Sequence, residues 1–165
     1  MIWESKNKSY PESQNLKVIG QGKLYGKVEI SGAKNSALVL LAASLLTNEK
    51  IILENVPRLT DIEKMEDILK NLGVDLVFEK NKLKIDSQNI SIKELPNELV
   101  KGLRASFFCI GALLTKFGEA QVPLPGGCNI GSRPIEEHIN GLIALGADII
   151  IEEGIVKAKT RGDKN

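Results

Sequence analysis

At 165 residues the chain is long enough for one domain with a real hydrophobic core. Its 22 Lys plus Arg stand against 21 Asp plus Glu, so no broad field attracts nucleic acid or an anionic membrane, and any anion site has to be local. Two cysteines make no disulfide framework, the apolar runs are too short and interrupted to span a bilayer, and the first residues lack the apolar stretch of a signal peptide; the expectation is a soluble, cytoplasmic protein.

In chain order, residues 1–15 are polar and poor in aliphatics and read as a disordered lead-in, followed by a strand segment over residues 16–25. Lys34-Asn35 then precedes an apolar helix, Ser36 to Leu46, and the chain goes on to repeat itself. Ser44-Leu-Leu-Thr47 returns as Ala112-Leu-Leu-Thr115, and Leu72-Gly-Val-Asp75 as Leu145-Gly-Ala-Asp148. Each copy reads as apolar helix, short strand, proline-bearing loop, amphipathic helix, glycine stop and two strands, which predicts a repeated α/β unit over about 26–90 and 91–160, with residues 161–165 as a tail.

The paired strands are expected at Asp75 to Phe78 with Lys82 to Ile85, and at Asp148 to Glu152 with Ile155 to Ala158. Thr60-Asp-Ile-Glu63 has capping-box spacing ahead of a stripe of Met65, Ile68, Leu69 and Leu72 that stops at Gly73. In the second copy Pro134 suits a first helical position, with Ile135, Ile139, Leu142 and Ile143 as the stripe and Gly146 as the stop. Both helices should keep one wet face. Ser36 to Leu46 and Ala105 to Leu114, apolar nearly all round, should be buried on all sides. A two-layer α/β sandwich is the plainer alternative.

The strongest local signal for chemistry is Leu124-Pro-Gly-Gly-Cys-Asn-Ile-Gly-Ser-Arg-Pro134. Its glycines allow unusual backbone conformations, and it runs into a helix start where free N–H groups and Arg133 favour phosphate or carboxylate. A surface loop with a half-buried Cys and a solvated Arg fits the same spacing. Arg133 and the helix start would lower the pKa of Cys128, which suits a nucleophile or a proton donor. Cys109 reads as a small core residue. His138, the single histidine, is placed for general-base work or for a structural hydrogen bond. Lys34-Asn35 and Arg104 stand at the starts of the two apolar helices, where an anionic ligand or a local carboxylate would satisfy each cation.

Ile30-Ser-Gly-Ala-Lys-Asn35, Leu103-Arg-Ala-Ser106 and Pro125-Gly-Gly-Cys-Asn-Ile-Gly-Ser-Arg-Pro134 together resemble, in order, the hallmark segments of the UDP-N-acetylglucosamine enolpyruvyl transferases, a match running over roughly residues 16–159. The resemblance implies the inside-out α/β enolpyruvyl transferase fold, with two globules of three repeats each; this chain would hold two repeats of the first, and residues 16–25 would belong to the second. It implies transfer of the enolpyruvyl group of phosphoenolpyruvate to the 3′-hydroxyl of UDP-N-acetylglucosamine, in peptidoglycan synthesis, without metal or organic cofactor. Lys34 and Arg104 would then contact phosphoenolpyruvate, Asn35 the sugar nucleotide, and Arg133 both. Pro134, Ile135, Glu136 and Glu137 would line the uridine pocket. Cys128 matches the cysteine that protonates the methylene carbon and is alkylated by fosfomycin. Phe108 stands where some members have Trp, and His138 matches a histidine of the site region.

The resemblance also implies that a base aspartate and further arginines lie outside this sequence, so that the chain alone is expected to turn over little. A complementary or full-length chain is an expected partner. A sugar-nucleotide-binding module without catalysis and a transferase acting on shikimate 3-phosphate are the alternatives; the cysteine loop argues against the latter.

Overall fold

The computed structural model describes residues 17, 19–20, 22–91, 95, 99–100, 102–125 and 135–161. The expected lead-in (1–15), the loop residues Cys128, Arg133 and Pro134, and most of the tail lie outside the described residues.

The sequence repeat is a structural repeat. The first unit runs α1 (Lys34–Ala43), a 3₁₀ turn (Ser44–Leu46), β1 (Ile51–Leu53), α2 (Thr60–Asn71), β2 (Asp75–Glu79) and β3 (Lys82–Asp86). The second runs a 3₁₀ turn (Arg104–Phe108), α3 (Cys109–Phe117), β4 (Glu119–Pro123), α4 (Glu136–Ala144), β5 (Ala147–Glu152) and β6 (Ile155–Thr160). Each sheet is antiparallel, with the last strand of its unit in the middle: β1-β3-β2 and β4-β6-β5.

The hairpins match in detail. Lys80-Asn81 and Glu153-Gly154 all take positive φ, the two-residue turn whose twist suits an antiparallel pair. In both units the residue leaving the first strand's loop donates its N–H to that turn, Val56 to Asn81 O at 2.8 Å and Leu124 to Gly154 O at 2.7 Å. Period-two alternation puts Leu83 and Ile85, and likewise Val156 and Ala158, on the buried faces of their sheets.

One core joins the two units, to which α1, the 3₁₀ turn after it, α2 and α3 contribute Leu41, Leu45, Met65, Ile68, Leu69, Cys109 and Leu113. Lys116, in the last turn of α3, closes the seam between units. Its ammonium donates to Leu45 O at 3.1 Å, Thr47 O at 3.4 Å and Asn48 Oδ1 at 2.8 Å, covering carbonyls left free where the first unit's 3₁₀ turn ends.

Several expectations are corrected. The first apolar helix starts at Lys34, two residues early, and is not buried on all sides: Ser36, Val39, Leu40 and Ala43 form an open stripe, with Val39 46% and Leu40 51% exposed. All-round apolarity requires neighbours on every side, and among the described residues α2, α3 and the 3₁₀ turn cover only one face of α1. The Thr60 capping box does not form, because Leu59 occupies the cap position and Thr60 is already helical. Glu63 is instead drawn to Arg58, at 3.1 Å. The last amphipathic helix begins at Glu136 behind Ile135, later than Pro134 suggested, and buries none of its residues fully. The described residues of 16–25 form no strand, and nor do 26–33 ahead of Lys34.

Candidate functional site

The two helix starts that carry the sequence's cations converge on one cavity of about 390 Å³, a size suited to a small organic ligand. α1 contributes Lys34 and Asn35 from its first turn, and the second unit contributes Arg104 and Phe108 from the 3₁₀ turn that opens α3. Ile135 and His138 close the side nearest α4.

The start of α1 is fixed by backbone contact. Gly32, two residues before Lys34, lies against the Asn55 turn so closely that a Cβ placed there would fall 1.8 Å from the Asn55 carbonyl oxygen. Ala33 in the cap position offers no side-chain hydrogen bond, so first-turn N–H groups of α1 remain for other acceptors beside Lys34 and Asn35.

α2 braces both cationic starts from one face, since Asp61 and Lys64 are three residues apart. Asp61 accepts a hydrogen bond from the Lys34 ammonium at 2.6 Å and itself lines the cavity. Lys64 donates to Gly102 O at 3.2 Å, tying down the segment that leads to Arg104. Ser106 Oγ, fully buried, donates to Leu103 O at 2.6 Å and stiffens the 3₁₀ turn from within.

His138 meets Phe107 edge to face with centroids 6.0 Å apart, and Phe108 in a tilted arrangement at 5.8 Å. Phe108 remains 40% exposed toward the opening. Glu136 and Glu137 sit exposed in the first turn of α4 and do not line the cavity. Cys128, Arg133 and Pro134 fall in the stretch outside the described residues, which separates Pro125 from Ile135. Cys109 is the core residue expected of it: burial pushes its thiol up to about 12, so it offers no thiolate near neutrality. No three His, Cys, Asp or Glu side chains among the described residues gather as they would around a metal ion.

Asp61 is the residue that sequence reasoning missed. It was absorbed into the Thr60–Glu63 capping signal, and its pairing with Lys34 spans 27 positions, beyond the reach of any local pattern. Of the two partners the sequence left open for Lys34, the structure shows a local carboxylate, Asp61.

Comparison with known proteins agrees with this architecture. The chain is 84% identical over its full length to a UDP-N-acetylglucosamine 1-carboxyvinyltransferase of Prochlorococcus marinus (strain AS9601), spanning 36% of that relative. Among solved structures, the enolpyruvyl transferase NikO from Streptomyces tendae superposes with a TM-score of 0.70 at 23% identity, over 84% of this chain and 30% of that one. EPSP synthase from Acinetobacter baumannii superposes at 0.51 and 17% identity, over 78% of this chain and 31% of that one. These two share the fold, an α/β enolpyruvyl transferase architecture. Since the family model for EPSP synthase (3-phosphoshikimate 1-carboxyvinyltransferase) matches residues 18–164, the chain belongs to that family.

Proposed function

We propose that this chain supplies substrate-binding machinery of a UDP-N-acetylglucosamine 1-carboxyvinyltransferase, which passes the enolpyruvyl group of phosphoenolpyruvate to the sugar 3′-hydroxyl and releases phosphate, the first committed step of peptidoglycan synthesis. The observation that carries this reading is the cavity where Lys34, Asn35, Arg104, Phe108 and His138 meet, in a chain so similar to proteins of that name. The chain spans 36% of such a relative, so binding is assigned to it more firmly than turnover.

In the proposed chemistry, Lys34 and Arg104 hold the phosphate and carboxylate of phosphoenolpyruvate, cations preorganised where negative charge has to be balanced. Asn35 orients the sugar nucleotide, with Arg133 between the two substrates and Pro134 to Glu137 on the uridine side. The 3′-hydroxyl gives its proton to the base aspartate that the resemblance places outside this sequence as its oxygen bonds to C2 of phosphoenolpyruvate. The C2–C3 π pair takes a proton from the Cys128 thiol, giving a tetrahedral intermediate and a Cys128 thiolate. The Cys128 thiolate then takes a proton back from C3, the double bond is restored, and the bond from C2 to the phosphate oxygen breaks so that phosphate leaves with its electron pair.

The test is phosphate release by the purified chain given both substrates, with Cys128→Ala in parallel and UDP-N-acetylglucosamine affinity measured by calorimetry. Affinity for the sugar nucleotide with little release is the expected outcome. Binding of shikimate 3-phosphate in its place would move the assignment to the activity in the family model's description.

A further inference from the structure

We infer that Asp61 is a resident counter-ion of the anion site, a carboxylate that neutralises Lys34 and that an incoming anion has to displace or share. This rests on the reading of the cavity as a phosphoenolpyruvate site. Three observations support it. The pair is direct, at 2.6 Å, and both side chains are partly open to solvent, 43% for Lys34 and 34% for Asp61, so the contact can be exchanged for another. Both residues line the cavity, so Asp61 competes from inside it and not from behind Lys34. Each comes from the first turn of a separate helix, Lys34 from α1 and Asp61 from α2, so the ammonium can leave the carboxylate without either helix being rebuilt.

The electrostatics give the sign. Asp61 offsets one of the two fixed cations on the wall, Lys34 and Arg104, and repels any anion that approaches them. It also restrains a flexible side chain, which favours binding. For a ligand carrying two or more negative charges, the repulsion is the larger of the two effects, because it scales with ligand charge whereas the ordering of one lysine does not. Asp61 therefore holds affinity for the substrate below what the cations alone would give.

The experiment is titration of the full chain with phosphoenolpyruvate, by calorimetry, in wild type, Asp61→Asn, Lys34→Ala and the double variant, with folding checked by circular dichroism. Asp61→Asn should tighten binding by roughly three- to tenfold, the scale of one charge near a partly solvated site. The share of that gain that comes from competition for Lys34 should be lost in the Lys34→Ala background while the share from direct repulsion remains, and the whole gain should shrink with added salt. Should Lys34→Ala weaken binding while Asp61→Asn leaves it unchanged or weaker, the counter-ion role is overturned and the cavity assignment stands. Should no variant bind phosphoenolpyruvate, the cavity assignment falls and the inference with it.

Discussion

The two units share one topology and one hairpin turn but differ in how tightly their amphipathic helices are held. α2 buries Ile62, Met65, Glu66, Ile68 and Leu69, whereas α4 buries nothing fully and leaves Ile143 43% exposed. The tight helix supplies the brace, through Asp61 and Lys64, and the loose one carries Ile135 and His138 at the cavity's edge. One copy of the repeat serves as scaffold, while the other, with less of its helix buried, borders the cavity, a division in keeping with lower local stability at binding elements.

The largest expected effect tests that contrast directly. Leu69→Ala, in the core beneath α2, should cost about 3 kcal/mol in urea denaturation, while Leu142→Ala on α4 should cost below about 1 kcal/mol. Equal losses would erase the distinction between the units. Next in size, Lys116→Met should remove about 1 kcal/mol by stranding the acceptors at the seam. A single cooperative transition in that variant would mean the units still melt together, and two transitions would mean that the seam alone couples them.

The smallest effect concerns pH. Burial raises the Glu66 carboxyl above its ordinary 4.5, against the opposing pull of Arg58 and Lys70. Because the folded state then holds this proton more tightly than the unfolded one, the Glu66 contribution is fully present below pH 4.5 and is lost as pH rises through the raised folded value. Glu66→Gln should flatten that part of the stability profile, and an unchanged slope between variant and wild type would reject the assignment.

Much of this was readable from residue order alone because it rests on local chemistry. The repeated Leu-Gly-X-Asp steps marked helix ends where Gly73 and Gly146 take φ near 96°, and alternation in β3 and β6 marked their buried faces. The sequence put a cation at each apolar helix start, Lys34 and Arg104, and their meeting at one cavity is what the structure adds. What escaped was long-range or competitive. Thr60 looked like a cap until Leu59 took the role, and Asp61 looked like part of that cap while its partner lay on another helix. The open stripe on α1 escaped as well, since composition reports what a helix needs around it and not what is there.

Gly32 gives the site an unusual kind of address. Nothing about that residue is chemical, yet the carbonyl of Asn55 occupies the space a side chain would need, so the backbone there works as a mechanical stop. Adding even a methyl group would force the backbone at 32 or the Asn55 turn aside and disturb the start of α1, which presents Lys34 to Asp61 and to the cavity. A change at position 32 would therefore present as a defect in recognition, produced by an atom that never meets the ligand.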